Sequence, residues 1–252
     1  MKTFLKANWE DIVMVNYAID PSVLQPYLPF GVEVDMHEGQ CFVSLVGFQF
    51  NKSNIFGIPM PFYGSFDEVN LRFYVKRTEG DEIRRGVVFI SEVVPYKIVA
   101  VMANQLYKEH YSVAKMKSSI VIENGVKTID YHWQPKSGDY FIKTTFESQS
   151  KPIAADSLEE FIYEHYYGFT KVNEVETWEY RVNHPRWETN KIIAYNINCD
   201  FEAMYGTDFS FLNSQKPYSV YNALGSEVSI DWKINKLKKG NNIAQTTDPI
   251  SR

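Results

Sequence analysis

Two charged residues lie at a predicted junction between a strand and a helix, and their types suit proton-transfer or carbonyl chemistry. Glu92 lies near the end of an apolar segment, Gly86–Val94, and Lys97 follows the proline that closes it. A carboxylate in a buried strand is costly unless it is paired. A lysine in the first helical turn faces the positive end of the helix dipole, and desolvation lowers its pKa further. Such an amine becomes a nucleophile or a base, so Glu92 and Lys97 are the candidate catalytic residues.

The elements that must position these two residues are a buried strand and the helix that follows it. Gly86–Val94 has mostly apolar side chains on both alternating faces, which predicts a strand buried on both sides. Simple alternation puts Glu92 on the opposite face to Val87. Pro95 ends the strand and suits a first helical turn, after which apolar residues recur at helical spacing. The sequence therefore predicts a helix over about Pro95–Glu109.

A polar row lies along the preceding predicted strand, Asp67–Arg77, where Glu68, Asn70 and Arg72 alternate with apolar residues. The turn that follows makes a hairpin that places this row beside Glu92. In an open sheet the row faces water, with Arg72 paired to Glu68. In a closed barrel the row faces inward as a binding site, where Arg72 can hold a substrate carboxylate through two hydrogen bonds.

Each candidate also has a structural interpretation, and the sequence leaves both open. Lys97 is alternatively a surface lysine or a structural partner of Glu92. Glu92 is alternatively a buried acid held by backbone N–H groups or by a nearby basic side chain. Tyr96 is either a hydrogen-bond donor to a ligand or a packed aromatic residue. His184, in the turn Asn183–Trp187, either lines a cavity or is structural.

The sequence lacks the short motifs of common metal, nucleotide and hydrolase sites. It contains no HExxH, no CxxC, no GxGxxG, no P-loop and no GxSxG nucleophile elbow. Cys41 and Cys199 have no zinc spacing and indicate free thiols in a reducing compartment. His132 and His165 are expected to be structural. The sequence therefore predicts neither a metal nor a cofactor.

The net charge and the composition of the chain favour a protein that acts on small molecules. The chain has 252 residues and a net charge of −5, which argues against nucleic acid and acidic membranes as partners. Aromatic residues make up 15%, a fraction that suits a β-rich fold or an aromatic-lined cavity. The N-terminal residues lack the apolar core of a signal peptide, and no stretch is apolar enough to span a membrane. We expect a soluble, cytoplasmic protein with a small-molecule ligand.

The remaining pattern predicts a mainly β fold with a few helices, as a single antiparallel β-barrel domain over residues 1–235. Asp20 caps a first short helix, and Ser157–Phe169 forms a later one that opens with a capping box. Asn124-Gly125 is the strongest turn signal. From residue 236 to 252 the chain is polar and lacks periodicity, which predicts a disordered tail.

The segment Asn51–Ser65 is unusually apolar for a loop and holds two glycines and two prolines. Leaving such a loop in water costs free energy. It therefore packs over the core, covers the mouth of a cavity as a lid, or forms an interface through Asn54–Tyr63 in a homo-oligomer.

Several segments resemble, in order and spacing, the bacterial YqjF-like family. They are NYAIDPSVLQPYLPFGVEVD, CFVSLVGFQF, EVNLRFYV, RRGVVFISEVVPYKIVA and NHPRWE, and the resemblance covers nearly all of residues 1–235. That family is similar to acetoacetate decarboxylase. The resemblance implies an antiparallel β-barrel that holds a buried active-site lysine, and it implies oligomers.

The decarboxylase motif has a glutamate, a few residues and then Pro-Lys-Lys, whose first lysine forms a Schiff base and whose second lowers the pKa of the first. The matching segment here puts Tyr96 at the Schiff-base position and Lys97 at the helper position. A tyrosine cannot form an imine, so the resemblance implies the fold and the pocket but not acetoacetate decarboxylation. One hypothesis is an enzyme that acts on an oxo-acid or related carbonyl compound by lysine or acid–base chemistry. The other is a non-catalytic barrel that binds a small ligand.

Overall fold

The computed structural model describes residues 2–247, and strands dominate that part of the chain. The strands are β1 Thr3–Ile19, β2 Glu33–Val34, β3 Cys41–Ile55, β4 Ile58–Pro59, β5 Phe66–Glu79, β6 Glu82–Val94, β7 Tyr111–Val113, β8 Lys115–Glu123, β9 Val126–Gln134, β10 Tyr140–Pro152, β11 Tyr167–Asn173, β12 Glu176–Asn183, β13 Glu188–Asn198, β14 Ser219–Asp231, β15 Ile234–Lys238 and β16 Asn241–Thr247. The α-helices are α1 Pro21–Leu24, α2 Lys97–Leu106, α3 Leu158–Tyr163 and α4 Phe201–Tyr205, and two 3-10 helices span Gln25–Tyr27 and Thr207–Asn213. The mainly β class is confirmed.

Part of the sheet closes on itself. Its neighbours are, in order, β12, β11, β6, β5, β3, β1 and β14, and β14 pairs back onto β12 where Val182 faces Ile230. We call these strands the ring. Most pairs are antiparallel, although β6 pairs in parallel with both β11 and β7. A closed arrangement gives each strand an inner and an outer face, with alternate side chains on each.

The central ring strands are buried on both faces, as their continuous apolar sequences predict. On the outer face, Leu45 of β3 and Leu71 of β5 pack in one core with Trp133 of β9. On the inner face, Met14 of β1 and Val46 of β3 belong to a second core. Strand β9 thus helps to cover the outside of the ring, and the inside of the ring is left available for a site.

A β-bulge in β6 decides which side chains of this strand face the inside of the ring. The register between β5 and β6 shifts between Leu71 and Arg72, where β6 carries one extra residue. The extra residue reverses the alternation beyond it. Glu92 therefore lies opposite Asn70 and on the same inner face as Val87. The prediction that Glu92 faces away from Val87 is wrong for this reason.

Both of the longer helices are shorter in the structure than the sequence predicts. Helix α2 spans Lys97–Leu106 rather than Pro95–Glu109, and α3 spans Leu158–Tyr163 rather than Ser157–Phe169. The chain leaves α3 and enters β11 because Tyr167 begins a parallel pairing with β6. This long-range contact overrides the local helical spacing.

The local capping and turn signals are confirmed. Asp20 accepts a backbone N–H bond of 2.8 Å at the start of α1. Ser157 Oγ accepts the backbone N–H of Glu160 at 3.1 Å, as in a capping box. Asn124 and Gly125 have φ values of 51° and 78°, the left-handed geometry that a tight hairpin turn requires.

The C-terminal segment differs from the expected disorder. Strand β15 pairs with β12, and β16 pairs with β15 over residues 241–247. Ile234 and Leu237 are buried, and the edge of β12 supplies hydrogen-bond partners for this backbone. Residues 248–252 of the predicted tail lie outside the described residues. Between residues 2 and 247, no helix combines the length and apolarity needed to cross a bilayer.

Candidate functional site

A cavity of about 140 Å³ lies inside the ring, and every ring strand contributes to its lining. The wall is mostly apolar and aromatic, with Phe48 of β3 and Phe89 of β6 among its side chains. Three carboxylic acids, Glu68, Glu92 and Glu109, interrupt it. We call these three residues the carboxyl cluster. Apolar cavities with a few polar groups are the usual form of small-molecule sites, and a cavity of about this size can hold a benzene-sized molecule.

Glu68 projects from β5 into the cavity and is 2% exposed. Asn70 Nδ2 donates to its Oε1 at 2.9 Å, and the Tyr111 hydroxyl donates to its Oε2 at 3.0 Å. Burial raises the pKa of Glu68 to about 7, although both hydrogen bonds act to lower it. A carboxyl group with this pKa can take up or release a proton at neutral pH. Of the two orientations that the sequence leaves open for Glu68 and Asn70, the structure has the inward one.

Glu92 lies across the ladder from Asn70 and is 1% exposed. Its Oε2 accepts a long backbone N–H bond of 3.4 Å from His110. Burial raises the pKa of Glu92 well above its ordinary value, and the charges of Glu109 and Glu68 raise it further. Both effects favour the protonated form of Glu92.

Glu109, in the segment between α2 and β7, was missed by the sequence analysis. The hydroxyls of Tyr180 and Thr170 donate to its Oε1 at 2.7 and 2.8 Å. The segment reaches Glu92 because β7 pairs in parallel with the end of β6, with Tyr111 opposite Glu92. Burial raises the pKa of Glu109 to about 7, against the effect of both hydrogen bonds. Among the described residues, no three acidic, histidine or cysteine side chains are arranged to bind a metal ion.

A glycine on the neighbouring strand lets Tyr180 reach Glu109. Gly168 of β11 faces Tyr180 of β12 across the ladder. A Cβ atom at Gly168 would lie 2.1 Å from the Tyr180 ring, well inside van der Waals contact. The missing side chain thus leaves the space in which the ring lies across β11.

Arg72 supplies a positive charge to the cavity, and no lysine is among the described residues that line it. Its Nε is buried without a hydrogen-bond partner, and its Nη2 reaches only the sulfur of Met14, at 3.6 Å. The alternative pairing of Arg72 with Glu68 is not among the ion pairs of the described chain. An arginine with unused N–H groups at a cavity wall suits a carboxylate.

Two histidines line the same cavity. His184 stacks on Trp187 with ring centroids 4.1 Å apart, and burial lowers its pKa to about 4. His165 is also buried, with Nε2 3.4 Å from Asp35 Oδ2, and burial lowers its pKa. The charge of Arg72 contributes to the lowering at both rings. Both histidines are therefore neutral above pH 7, and His165 lies at the cavity rather than in a purely structural position.

The two residues at the family's lysine positions lie outside the cavity lining. Lys97 is exposed at the first position of α2, and Tyr96 packs edge-on against Tyr63 with centroids 5.1 Å apart. The cavity face of α2 carries Val99 and Met102. Lys97 is two residues from Val99, about 200° around the helix, so it points away from the cavity. The expected buried amine at Lys97 is therefore not formed, and Tyr96 is a packed aromatic residue.

The apolar segment Asn51–Ser65 both packs and protrudes. Ile55 and Met60 line the cavity, whereas Ile58 is 70% exposed and Phe62 is 91% exposed. Both the lid and the interface stay predictions.

Solved structures of similar fold have low sequence identity to this chain. Acetoacetate decarboxylase from Legionella pneumophila is 14% identical with a TM-score of 0.60, over 97% of this chain and 87% of that one. The enduracididine biosynthesis enzyme MppR complexed with pyruvate is 13% identical with a TM-score of 0.58, over 98% and 92%. At these identities the likeness shows the fold alone, which is acetoacetate decarboxylase-like.

Sequence comparison gives the family. "Uncharacterized protein YqjF" of Bacillus subtilis (strain 168) is 26% identical over 201 residues, which cover 77% of this chain and 78% of that protein. The family model DUF2071, described as "Uncharacterized conserved protein", matches residues 6–227. The YqjF-like resemblance is thereby confirmed. Because this match runs from β1 into β14 and includes the whole carboxyl cluster, the chain belongs to the DUF2071 family.

Proposed function

We propose that this protein is an enzyme that moves a proton on a small oxo-acid or related carbonyl compound bound inside the ring. The observation that carries the proposal is the buried carboxyl cluster beside one arginine with unused donors. Acids with a pKa near 7 suit general acid–base catalysis, and an arginine suits the substrate carboxylate. MppR, which shares the fold, is known in complex with pyruvate.

The roles follow from the protonation states. Arg72 binds the substrate carboxylate through its unused N–H groups. Glu92, whose raised pKa favours its protonated form, donates its proton to the carbonyl oxygen. The ionised form of Glu68 takes a proton from the adjacent carbon, and Tyr111 holds this carboxylate by its hydroxyl. The C–H electron pair becomes the carbon–carbon double bond, the carbonyl π pair takes the proton from Glu92, and the product is an enol.

Imine chemistry has no support in this geometry, since no lysine lines the described cavity and Lys97 is exposed. Activation of the carbonyl group must then come from hydrogen bonds and charge. This condition favours the acid–base version of the original hypothesis over its lysine version.

Hydrogen exchange tests the proposal without knowledge of the net reaction. The protein is incubated in D₂O with pyruvate and a panel of larger oxo-acids, and loss of the C–H signal next to the carbonyl is followed by NMR. We expect catalysed exchange with at least one oxo-acid, and a decrease of about 100-fold or more in Glu92→Gln. Glu123→Gln, at an exposed hairpin position, is the matched control. Borohydride treatment with the same oxo-acids is expected to leave Lys97 unmodified.

A non-catalytic ligand-binding protein is the second candidate. The observation that favours it is Tyr96, which occupies the position of the decarboxylase nucleophile and packs outside the cavity. In that case the panel would raise the melting temperature without exchange. Catalysed exchange that is lost in Glu92→Gln would exclude it.

We further propose that the chain acts as one barrel-shaped domain, because its cavity uses residues from Phe4 to Ile230. Exposed Ile58 and Phe62 would provide the contact of a homo-oligomer. Sedimentation of the protein and of Phe62→Ser tests this association.

A further inference from the structure

Two other buried acids of the described chain, Glu179 and Asp35, are paired with cations. Glu179 lies 3.0 Å from an Arg77 nitrogen and 2.8 Å from an Arg84 nitrogen. Asp35 lies 3.1 Å from Arg85. At these two positions the fold supplies the counter-charge that an isolated buried carboxylate would lack.

The carboxyl cluster differs, because its hydrogen-bond partners are neutral donors. Glu68 accepts from an amide and a phenol, Glu109 accepts from a threonine and a phenol, and Glu92 accepts from a backbone N–H. Between residues 2 and 240, no ion pair involves any of the three. Three acids at one cavity wall without a cation are a site that a positively charged ligand group would complement.

The carboxyl cluster lies a short distance from Arg72, the residue that we propose binds the anion. Asn70 lies opposite Glu92, and Arg72 is two residues further along the same face of β5. Residues i and i+2 of a strand are about 7 Å apart. The rings of Tyr111 and Tyr180 also lie beside the acids, and aromatic faces attract organic cations.

We propose that the cavity binds a small molecule with two opposite charges, an anionic carboxylate at Arg72 and a cationic nitrogen group at the carboxyl cluster. This inference rests on the proposed function, which places the carboxylate of the ligand at Arg72. It adds a cationic group on the same ligand. Entry of the cation requires at least one cluster acid to release its proton to solvent. Affinity for such a ligand therefore rises with pH, whereas affinity for a plain anion falls as the cluster becomes negative.

Of the other titratable groups that line the cavity, three tyrosines and two histidines keep their protonation state between pH 7 and 9. They are Tyr107, Tyr111, Tyr180, His165 and His184. Burial raises the pKa of each of these tyrosines and lowers that of each histidine. A change of affinity in this pH range therefore reports the cluster.

A pair of ligands of equal shape separates the two charges. The compounds guanidinoacetate and ureidoacetate are small and differ in that only the first carries a cation, which it keeps because a guanidinium stays protonated throughout this pH range. Their Kd values for the full-length protein are measured by calorimetry at pH 7, 8 and 9. At pH 9 we expect the guanidino compound to bind at least about tenfold more tightly than the ureido compound. We also expect the affinity of the guanidino compound to rise from pH 7 to pH 9. The ureido compound is expected to lose affinity over the same range.

Variants assign the two ends of the ligand. Glu92→Gln is expected to reduce the preference for the guanidino compound, Arg72→Met to weaken both compounds alike, and Glu123→Gln to change neither. Equal affinities for the two compounds, or a loss of affinity for both as pH rises, would overturn the proposed binding of a cationic group at the carboxyl cluster. The proposed function would then still be tested separately by hydrogen exchange in D₂O. Binding of neither compound would also overturn this inference, and if exchange were absent as well, both proposals would fail.

Discussion

Replacing Glu68 with glutamine is expected to stabilise the protein at pH 8 while removing a group that we propose to be catalytic. The pKa of Glu68 rises from about 4.5 in an exposed chain to about 7 in the folded state. Between these values the folded state holds a proton that the unfolded state has lost, so the free energy of unfolding falls as pH rises. At about 1.4 kcal/mol per pH unit, the loss amounts to about 3 kcal/mol by pH 8.

Glutamine can keep the local contacts of Glu68. Asn70 can still donate to its carbonyl oxygen, and the Tyr111 hydroxyl can accept from its new N–H. The free energy of unfolding of the variant is therefore higher than that of the unsubstituted protein at pH 8 and nearly the same at pH 5. For a protein of this size, about 3 kcal/mol corresponds to a rise in Tm of about 6–12 °C. Thermal and urea unfolding at both pH values would measure it.

The same substitution at Glu179 is the matched control and has the opposite expected sign. Glu179 is as buried as Glu68 but is paired with Arg77 and Arg84. Its replacement removes the one buried carboxylate that both guanidinium groups bind and leaves them only their exposed partners Glu79 and Glu82, so we expect a loss of about 3 kcal/mol. If Glu68→Gln also destabilised the protein at pH 8, the argument that its carboxylate lacks compensation would be refuted.

Three further substitutions test the site. Gly168→Ala is expected to destabilise the protein by about 1–3 kcal/mol in urea unfolding, because the new methyl group displaces the Tyr180 ring, and adding Tyr180→Leu should recover part of the loss. Tyr111→Phe removes a hydrogen bond that lowers the pKa of Glu68, so the pH profile of D₂O exchange should shift to higher pH. Lys97→Met should change stability by less than about 0.5 kcal/mol and leave exchange unaltered, and a lost exchange activity would mean that the exposed amine takes part.

Local signals in the sequence predicted much of the fold. Asp20 and Ser157 act as helix caps because the relevant hydrogen bonds join residues two or three positions apart. The alternation along β5 predicted that Glu68 and Asn70 share one face, and ring closure turned that face inward. Such features depend on neighbours in the chain, and a single sequence contains that information.

Two parts of the site depend on contacts that local patterns do not encode. The orientation of Glu92 depends on the bulge in β6, which lies between Phe89 and Ser91 without a glycine to mark it. Glu109 joins the cluster through the parallel pairing of β7 with β6, and its own segment has no distinctive pattern. Both features arise from how two strands pair, so they appear when the structure is known.

The positions of the residues of the decarboxylase-like motif explain why we propose acid–base chemistry for this cavity. The glutamate at its start faces the cavity, whereas the lysine at its end begins α2 and points to solvent because Val99 and Met102 occupy the inner face. A cavity with acids and an arginine but no lining amine cannot form an imine with a ketone. It can still lower the barrier to enol formation, provided that one carboxyl group stays protonated and another does not. Burial raises the pKa of Glu68 to about 7, and it raises the pKa of Glu92 well above its ordinary value, and both shifts support this condition.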